Sequence, residues 1–230
     1  MNRVWITRTE PGASRFARYL RMHSISCSIS PLIEIQQTPV QLPKVSVDLA
    51  VYLSQHAVRC APLDQLCAKR SFAIGEATRR TLAERAIASE IPRLASSEGL
   101  LANIQSALQP GASIAVLCGE GGRDFLPRRL RNLGFTVMEC CVYRRRVTRC
   151  LPHVAKLCDA IELSSISAFD AYHRLCETSQ SFNAERKTLV VPSHRIASHV
   201  LKFGDDHVIE AKDATPRSFA RTLTRLNAHA

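Results

Sequence analysis

Residues 116–146, VLCGEGGRDFLPRRLRNLGFTVMECCVYRRR, read as strand, glycine-rich turn, helix, turn and strand. The apolar run 113–117 (SIAVL) has the length of a strand. Gly119, Gly121 and Gly122 then permit a tight, crowded backbone. Asp124 falls in the first turn of the helix that follows, where a carboxylate suits the positive end of the dipole. Phe125, Leu126, Leu130 and Leu133 share one helical face, and Gly134 suits the left-handed residue that ends a helix. The run 135–143 is a second strand that leads into Arg144, Arg145 and Arg146. A strand feeding a glycine-rich turn and a helix start makes an anion cradle. Gly119, Gly122 and Arg123 are its candidate residues, although the same glycines serve a purely structural turn equally well. No Gly-Lys-Ser/Thr follows, and the spacing is not G-x-G-x-x-G, so neither common nucleotide fingerprint is present.

The same alternation extends in both directions. Toward the amino terminus lie a strand at 3–7, a helix opening at Glu10-Pro11-Gly12 with Ala13, Phe16, Ala17 and Leu20 inward, and a strand at 26–30. The extended PLIEI (31–35) runs into a polar, proline-bearing passage at 36–43 that reads as a linker. Strands at 47–53, 72–74 and 88–91 alternate with helices from Gln55, at 76–85 and at 96–108. Past Arg146 come strands at 160–163, 189–191 and 208–210, with helices after Ser165, from His194 and at 216–226. Strand and helix in alternation imply parallel sheets covered by helices.

The chain also repeats itself. VYLSQHAV and AIGEATRRTLAERAI (51–58, 73–87) match ELSSISAF and VVPSHRIASHVLKFG (162–169, 190–204) in element order. IPRLASSEGLLANI (91–104) parallels IEAKDATPRSFARTL (209–223), and the stretch 114–137 has its counterpart at 4–25. The expectation is one domain type present twice: residues 1–36 plus 147–230, with a second copy at 37–146 inserted into the first. In open parallel sheets ligands sit at the carboxyl ends of the strands, and two such domains facing each other would make a cleft. Thr7, Ser54, Thr78, Gly119, Ser164, Ser165 and Ser193 all fall at strand ends or helix starts. Taken singly each is a helix cap; taken as a set they point to binding.

The chain has 230 residues, 46% of them hydrophobic, which is enough for buried cores and excludes global disorder. A net charge of +11 favours anionic partners without choosing among them. Nine cysteines with no C-x-x-C, among them the adjacent Cys140 and Cys141, read as reduced thiols in a cytosolic protein rather than a disulfide framework. Cys118 reads as a small buried side chain at a strand end. Arg3 and Arg8 interrupt the first apolar run, so no signal peptide is expected, and no run is long enough to span a bilayer.

The chain resembles the uroporphyrinogen-III synthase family over its whole length. The resemblance rests on ITR (6–8), PLIEI (31–35), LSQHAV (53–58), AIGEAT (73–78), GEGGRDFLP (119–127), VYRR (142–145), LSS (163–165) and VVPSHRIA (190–197), in that order. The family usually has Pro where Thr9 stands and Thr-Ser where Ser164 and Ser165 stand. The resemblance implies two similar parallel-sheet, flavodoxin-like α/β domains joined by a two-stranded linker. It implies cyclisation of hydroxymethylbilane, a linear tetrapyrrole polycarboxylate, to uroporphyrinogen III. Ring D is inverted through a spiro intermediate with loss of water, and neither metal nor organic cofactor is needed. The expectation is a cytoplasmic monomer with a transient contact to the bilane-producing enzyme, binding neither nucleic acid nor membrane.

Tyr143 matches the tyrosine of the family's VYxR motif and is the candidate general acid; the alternative is a packed aromatic that stiffens the linker. Arg8, Arg123 and Arg195 are candidates for substrate carboxylates, with solvated arginines at helix starts as the alternative for the last two. His56 and His194 carry less weight as acid–base groups. Two other classes stay open. Arg128, Arg129, Arg131 and Arg144 to Arg146 permit nucleic-acid binding, but aromatics are few and not interleaved with them. A non-catalytic two-domain tetrapyrrole binder is the third class.

Overall fold

The computed structural model describes residues 3–39, 45–179, 187–205 and 207–228. The first half runs β1 (Val4–Ile6), α1 (Gly12–Met22), β2 (Cys27–Ile29), β3 (Ile33–Gln37), β4 (Val45–Tyr52), α2 (Gln55–Cys60), a 3-10 turn (Leu63–Gln65) and β5 (Leu66–Ala73). Next come α3 (Glu76–Ala83), α4 (Ser97–Ala107), β6 (Ser113–Gly119), α5 (Phe125–Asn132) and β7 (Thr136–Val147). The remainder is α6 (Val154–Leu157), β8 (Ala160–Glu162), α7 (Ile166–Glu177), β9 (Thr188–Val191), α8 (His194–Leu201), β10 (Val208–Glu210) and α9 (Pro216–Ala228). This is an α/β fold with parallel sheets.

Local chemistry accounts for most boundaries. Ala13, Phe16, Ala17 and Leu20 form the buried stripe of α1 at helical spacing. The hydroxyls of Ser54, Ser96 and Ser165 accept from backbone N–H groups three residues on and so start α2, α4 and α7. Gly134, at φ +82°, ends the α5 segment in the left-handed region.

The chain divides into two compact units, Met1–Glu34 with Arg146–Ala230, and Ile35–Arg145. The first holds a sheet of order β10-β9-β8-β1-β2. All its pairings are parallel. The other sheet has the order β3-β7-β6-β4-β5, with the β7-β6, β6-β4 and β4-β5 pairs parallel. At its far edge Phe72 forms a parallel bridge to Glu90. Taken as β6, β7, β4, β5 and Glu90, the second sheet has the spatial order that β1, β2, β8, β9 and β10 have in the first. The two orders differ only by a cyclic shift along the chain.

Alternate strand residues feed two core layers in each unit. Trp5, Ile161, Leu189 and Val191 pack with Phe169 and Tyr172 on one face, while Val4, Ile6, Ala160 and Val190 pack with Phe16 and Phe219 on the other. In the second unit Ala50, Tyr52, Ala115 and Leu117 line one layer, and Leu49, Val51, Ile114 and Val116 the other. Burial on both faces is why these strands read as unbroken apolar runs.

Several boundaries differ from the sequence reading. β5 begins at Leu66, not at residue 72, because Lys69 and Arg70 obscure its pattern while pairing with Asp48 and Glu90. The strand expected at 88–91 is reduced to the single bridge at Glu90. Gln36 and Gln37 extend β3 instead of starting an irregular passage, with Arg144 Nε donating to Gln36 Oε1 at 2.8 Å. Residues 40–43 of that expected linker lie outside the described residues. β7 continues through Arg144 to Val147, and the short α6 was not expected.

Asp48 joins three strands of the second sheet. Its carboxylate accepts from the Ser113 N–H and hydroxyl on β6, both at 2.8 Å, and from Lys69 Nζ on β5 at 2.8 Å. Lys69 first, then Ser113, hold the Asp48 carboxyl well below the usual carboxylate range. A depressed folded value means the stabilisation is present above the unfolded pKa of about 3.9 and is lost as pH falls toward the folded value. Urea-unfolding midpoints measured from pH 6 to pH 2 should therefore fall less steeply on the acid side for Asp48→Asn than for the wild type.

Candidate functional site

β6 and β7 set the geometry of the site in the second unit. Their register runs Leu117↔Cys140 and Cys118↔Cys141, then shifts to Gly119↔Tyr143. This bulge lets Val142 and Tyr143, consecutive in the chain, both join the same core layer. The Tyr143 ring then lies over Gly119. A Cβ at position 119 would stand 2.5 Å from Tyr143 Cζ and 2.9 Å from its hydroxyl oxygen, so only glycine fits beneath the ring.

Three further side chains meet Tyr143, which is 3% exposed. Ser54, at the carboxyl end of the adjacent β4, donates its hydroxyl to the Tyr143 oxygen at 3.1 Å. The same Ser54 oxygen accepts the Ala57 N–H at 3.0 Å, so the α2 cap and the tyrosine contact share one atom. Arg145 Nη2 donates to the Tyr143 oxygen at 3.4 Å, and its guanidinium carbon lies 5.8 Å from the ring centroid. The His56 ring centroid is 5.7 Å from that of Tyr143. Burial first, then the charges of Arg145 and Arg59, lower the His56 pKa from its ordinary value, which favours a neutral imidazole at neutral pH.

The glycine turn after β6 closes on itself. Gly122 N–H donates to the Gly119 carbonyl at 3.2 Å, and Gly121 takes φ +68°. Arg123 is exposed ahead of α5, which begins at Phe125 with Asp124 as its cap residue rather than in its first turn. Thr78 is buried in the first turn of α3, its N–H donating to the Gly75 carbonyl.

In the first unit, β1, β8 and β9 are neighbours in register through Ile6↔Glu162 and Glu162↔Val190. Thr7, Ser164, Ser165 and Ser193 therefore gather along one carboxyl edge. Thr7 and Arg8 are held by Glu162, which is fully buried. The Thr7 hydroxyl donates to the Glu162 carbonyl and its N–H to Glu162 Oε2, while Arg8 Nε donates to Oε1 at 3.0 Å. The Arg8 guanidinium carbon also lies 3.9 Å from the Phe16 ring centroid. Glu162 was missed in the sequence reading; a lone carboxylate inside the apolar run AIEL (160–163) was the available signal. Ser165 caps α7 and Ser164 is half-buried. Ser193 precedes α8 without a side-chain cap bond, and Arg195 is exposed. His194 is exposed, 3.6 Å from Glu210. A cavity of about 630 Å³ lies next along this edge, at the end of β10, lined by Lys212, Asp213, Arg217 and Ser218 among others.

The structure thus brings Ser54, Gly119 and Tyr143 together, joined by His56 and Arg145, and separately ties Thr7 and Arg8 to Glu162. Among the described residues Cys118, Glu139 and Cys141 bring three potential ligand atoms within 4.8 Å of one another, although the sequence spacing shows no metal motif.

A family model described as uroporphyrinogen-III synthase HemD matches residues 14–221. A uroporphyrinogen-III synthase of Chlorobaculum parvum is 26% identical over 158 residues, 62% of this chain. That match spans 63% of the relative's length, less than two thirds. Among solved structures, uroporphyrinogen-III synthetase from Helicobacter pylori aligns at a TM-score of 0.65 and 13% identity, over 98% of this chain and 100% of that one. A mutant uroporphyrinogen III synthase from Thermus thermophilus aligns at 0.56 and 14% identity, over 100% of both chains. These two likenesses speak for the fold.

Gly119→Ala should destabilise the protein by about 1–3 kcal/mol through overpacking against Tyr143, read as a lower urea midpoint. In an NMR pH titration the His56 ring should titrate below the ordinary histidine value of about 6.5. Arg145→Ala should move that titration upward by removing a repelling charge.

Proposed function

The chain belongs to the uroporphyrinogen-III synthase family, and on that premise we propose that it cyclises hydroxymethylbilane to uroporphyrinogen III as a hydro-lyase. The family match over residues 14–221 carries this reading. The bilane's terminal hydroxyl accepts a proton and leaves as water, giving an azafulvene. Ring D attacks through its already substituted carbon to form a spiro intermediate. Fragmentation and recombination invert that ring before the macrocycle closes, and a proton is lost at the end. The proposed reaction consists of proton transfer and positioning, and it calls for no cofactor.

Tyr143 is the proposed general acid. Its oxygen accepts from Ser54 and Arg145, an arrangement that leaves the phenolic hydrogen for the departing hydroxyl. Arg145 would then pair with the phenolate left behind. Ser54 positions the phenol, and Gly119 makes room for it. Each unit by itself offers candidate partners for carboxylate arms: the exposed Arg123 in the second, and in the first the exposed Arg195 and the backbone N–H groups that start α7 and α8. A net charge of +11 suits a polycarboxylate.

The finer architecture belongs to the same reading. We take each unit as a flavodoxin-like domain, on the strength of the shared strand order, with β3 and β7 as the two-stranded linker that inserts the second domain into the first. A cytoplasmic location fits the free thiols of the described cysteines, and we take the protein as a monomer. Among the described residues no helix is long and apolar enough to cross a membrane.

The test couples the purified protein to a bilane-generating enzyme and resolves the porphyrin isomers after oxidation. Mostly type III product is expected; type I alone would reject the synthase reading. Tyr143→Phe should lower turnover by about 10²–10⁴-fold, the span of general acid–base catalysis, with the urea midpoint close to wild type. Unchanged turnover would assign Tyr143 to packing.

A further inference from the structure

Cys118 on β6 and Cys141 on β7 stand opposite each other in register, with their sulfurs 3.6 Å apart. Glu139 lies two residues before Cys141 and so projects from the same side of β7. Its carboxylate and the two sulfurs all fall within 4.8 Å of one another. Three donors from two hydrogen-bonded strands therefore converge, although 23 residues separate the two cysteines. Cys140 is not part of the group, because its thiol turns to the Met138 carbonyl.

The spacing suits a shared cation as well as the thiol–thiol contact made without one, and it is too long for a disulfide. Two thiolates on a tetrahedral zinc, each about 2.3 Å from the metal, lie about 3.8 Å apart. A disulfide needs about 2.05 Å. The observed separation is close to the first. Two sulfurs and one carboxylate are a donor set for a borderline-soft cation, not for magnesium or calcium. We propose that Cys118, Glu139 and Cys141 form a binding site for a thiophilic divalent cation of the zinc class, with water completing the tetrahedron.

Binding replaces two S–H bonds by two sulfur–metal bonds, releases two protons and involves no change of oxidation state. Burial, with Cys141 beside it, pushes the Cys118 thiol up to about 12, so a metal must displace the proton of that thiol. The groups that face the cluster act in opposite senses. Arg131, on α5, lies 3.4 Å from Glu139 and competes for that carboxylate. Cys141, which faces Cys118 across the strand pair, favours a cation shared between the two sulfurs. The site has a structural role: it ties β6 to β7 one residue before the register shift that sets Tyr143 over Gly119.

The test is a cobalt(II) titration of the reduced, chelator-treated full chain, followed by absorbance. The expected result is a sulfur-to-cobalt charge-transfer band that saturates at one equivalent, is displaced by Zn²⁺ and is untouched by Mg²⁺. Cys141→Ala and Glu139→Gln should each weaken binding by at least about tenfold, the scale of losses at metal sites. Glu139 is exposed, so that variant tests the site even if a cysteine variant folds poorly. Cys67→Ser and Cys150→Ser, both at exposed thiols, should bind like the wild type. Absence of the band in the wild type would overturn the proposal. So would an unchanged band in both Cys141→Ala and Glu139→Gln, or a Cys118–Cys141 disulfide in protein isolated without reductant. The readout is spectroscopic and does not depend on synthase activity.

Discussion

A parallel strand can be reached only by a crossover, and the sheet that results must be covered on both faces. That constraint organises each unit of this protein. It makes β4, β6 and β9 apolar on both sides, and it amphipathically patterns α1 and α8. It also sends each of these parallel strands in the same direction, so that their carboxyl ends share one edge. Polar residues that follow the strands gather there with no need to be neighbours in sequence. Thr7, Ser164 and Ser193 do so in one sheet, and Ser54 and Gly119 in the other.

Within that frame the Tyr143 corner depends on a departure from regular pairing. In an unbroken strand Val142 and Tyr143 would point to opposite faces. The shift between Cys118 and Gly119 turns both inward and lays a phenol against the start of α2. Three ordinary features thereby become one site: a bulge, a glycine without a side chain and a serine that caps a helix. The Ser54 oxygen serves the cap and the tyrosine together, which couples the local stability of α2 to the placement of the phenol.

Charge is managed differently in the two units. Glu162 is fully buried and is met by Arg8 and by the Thr7 N–H, which fixes the segment after β1. A buried carboxylate of this kind is weak evidence for stability and better evidence for a fixed arrangement, because removing one partner leaves the other uncompensated. Asp48 instead lies near solvent and knits β4 to its two neighbours through Lys69 and Ser113.

By itself the sequence determined the alternation of strand and helix, the buried stripe of α1, the serine caps and the glycine stop at Gly134. Each is a local preference, written in residues a few positions apart. The eight short motifs, by their order, also pointed to the family. Tertiary structure alone decided the rest. β5 was hidden at 66–71 because its charges find partners on β4 and at Glu90, which a local pattern does not contain. Ser54 and Tyr143 are 89 residues apart, and Arg8 and Glu162 are 154 apart. Sheet register, not chain proximity, brings those side chains into contact. A one-residue slip in that register would face Tyr143 away from Gly119, since alternate strand residues point to opposite faces.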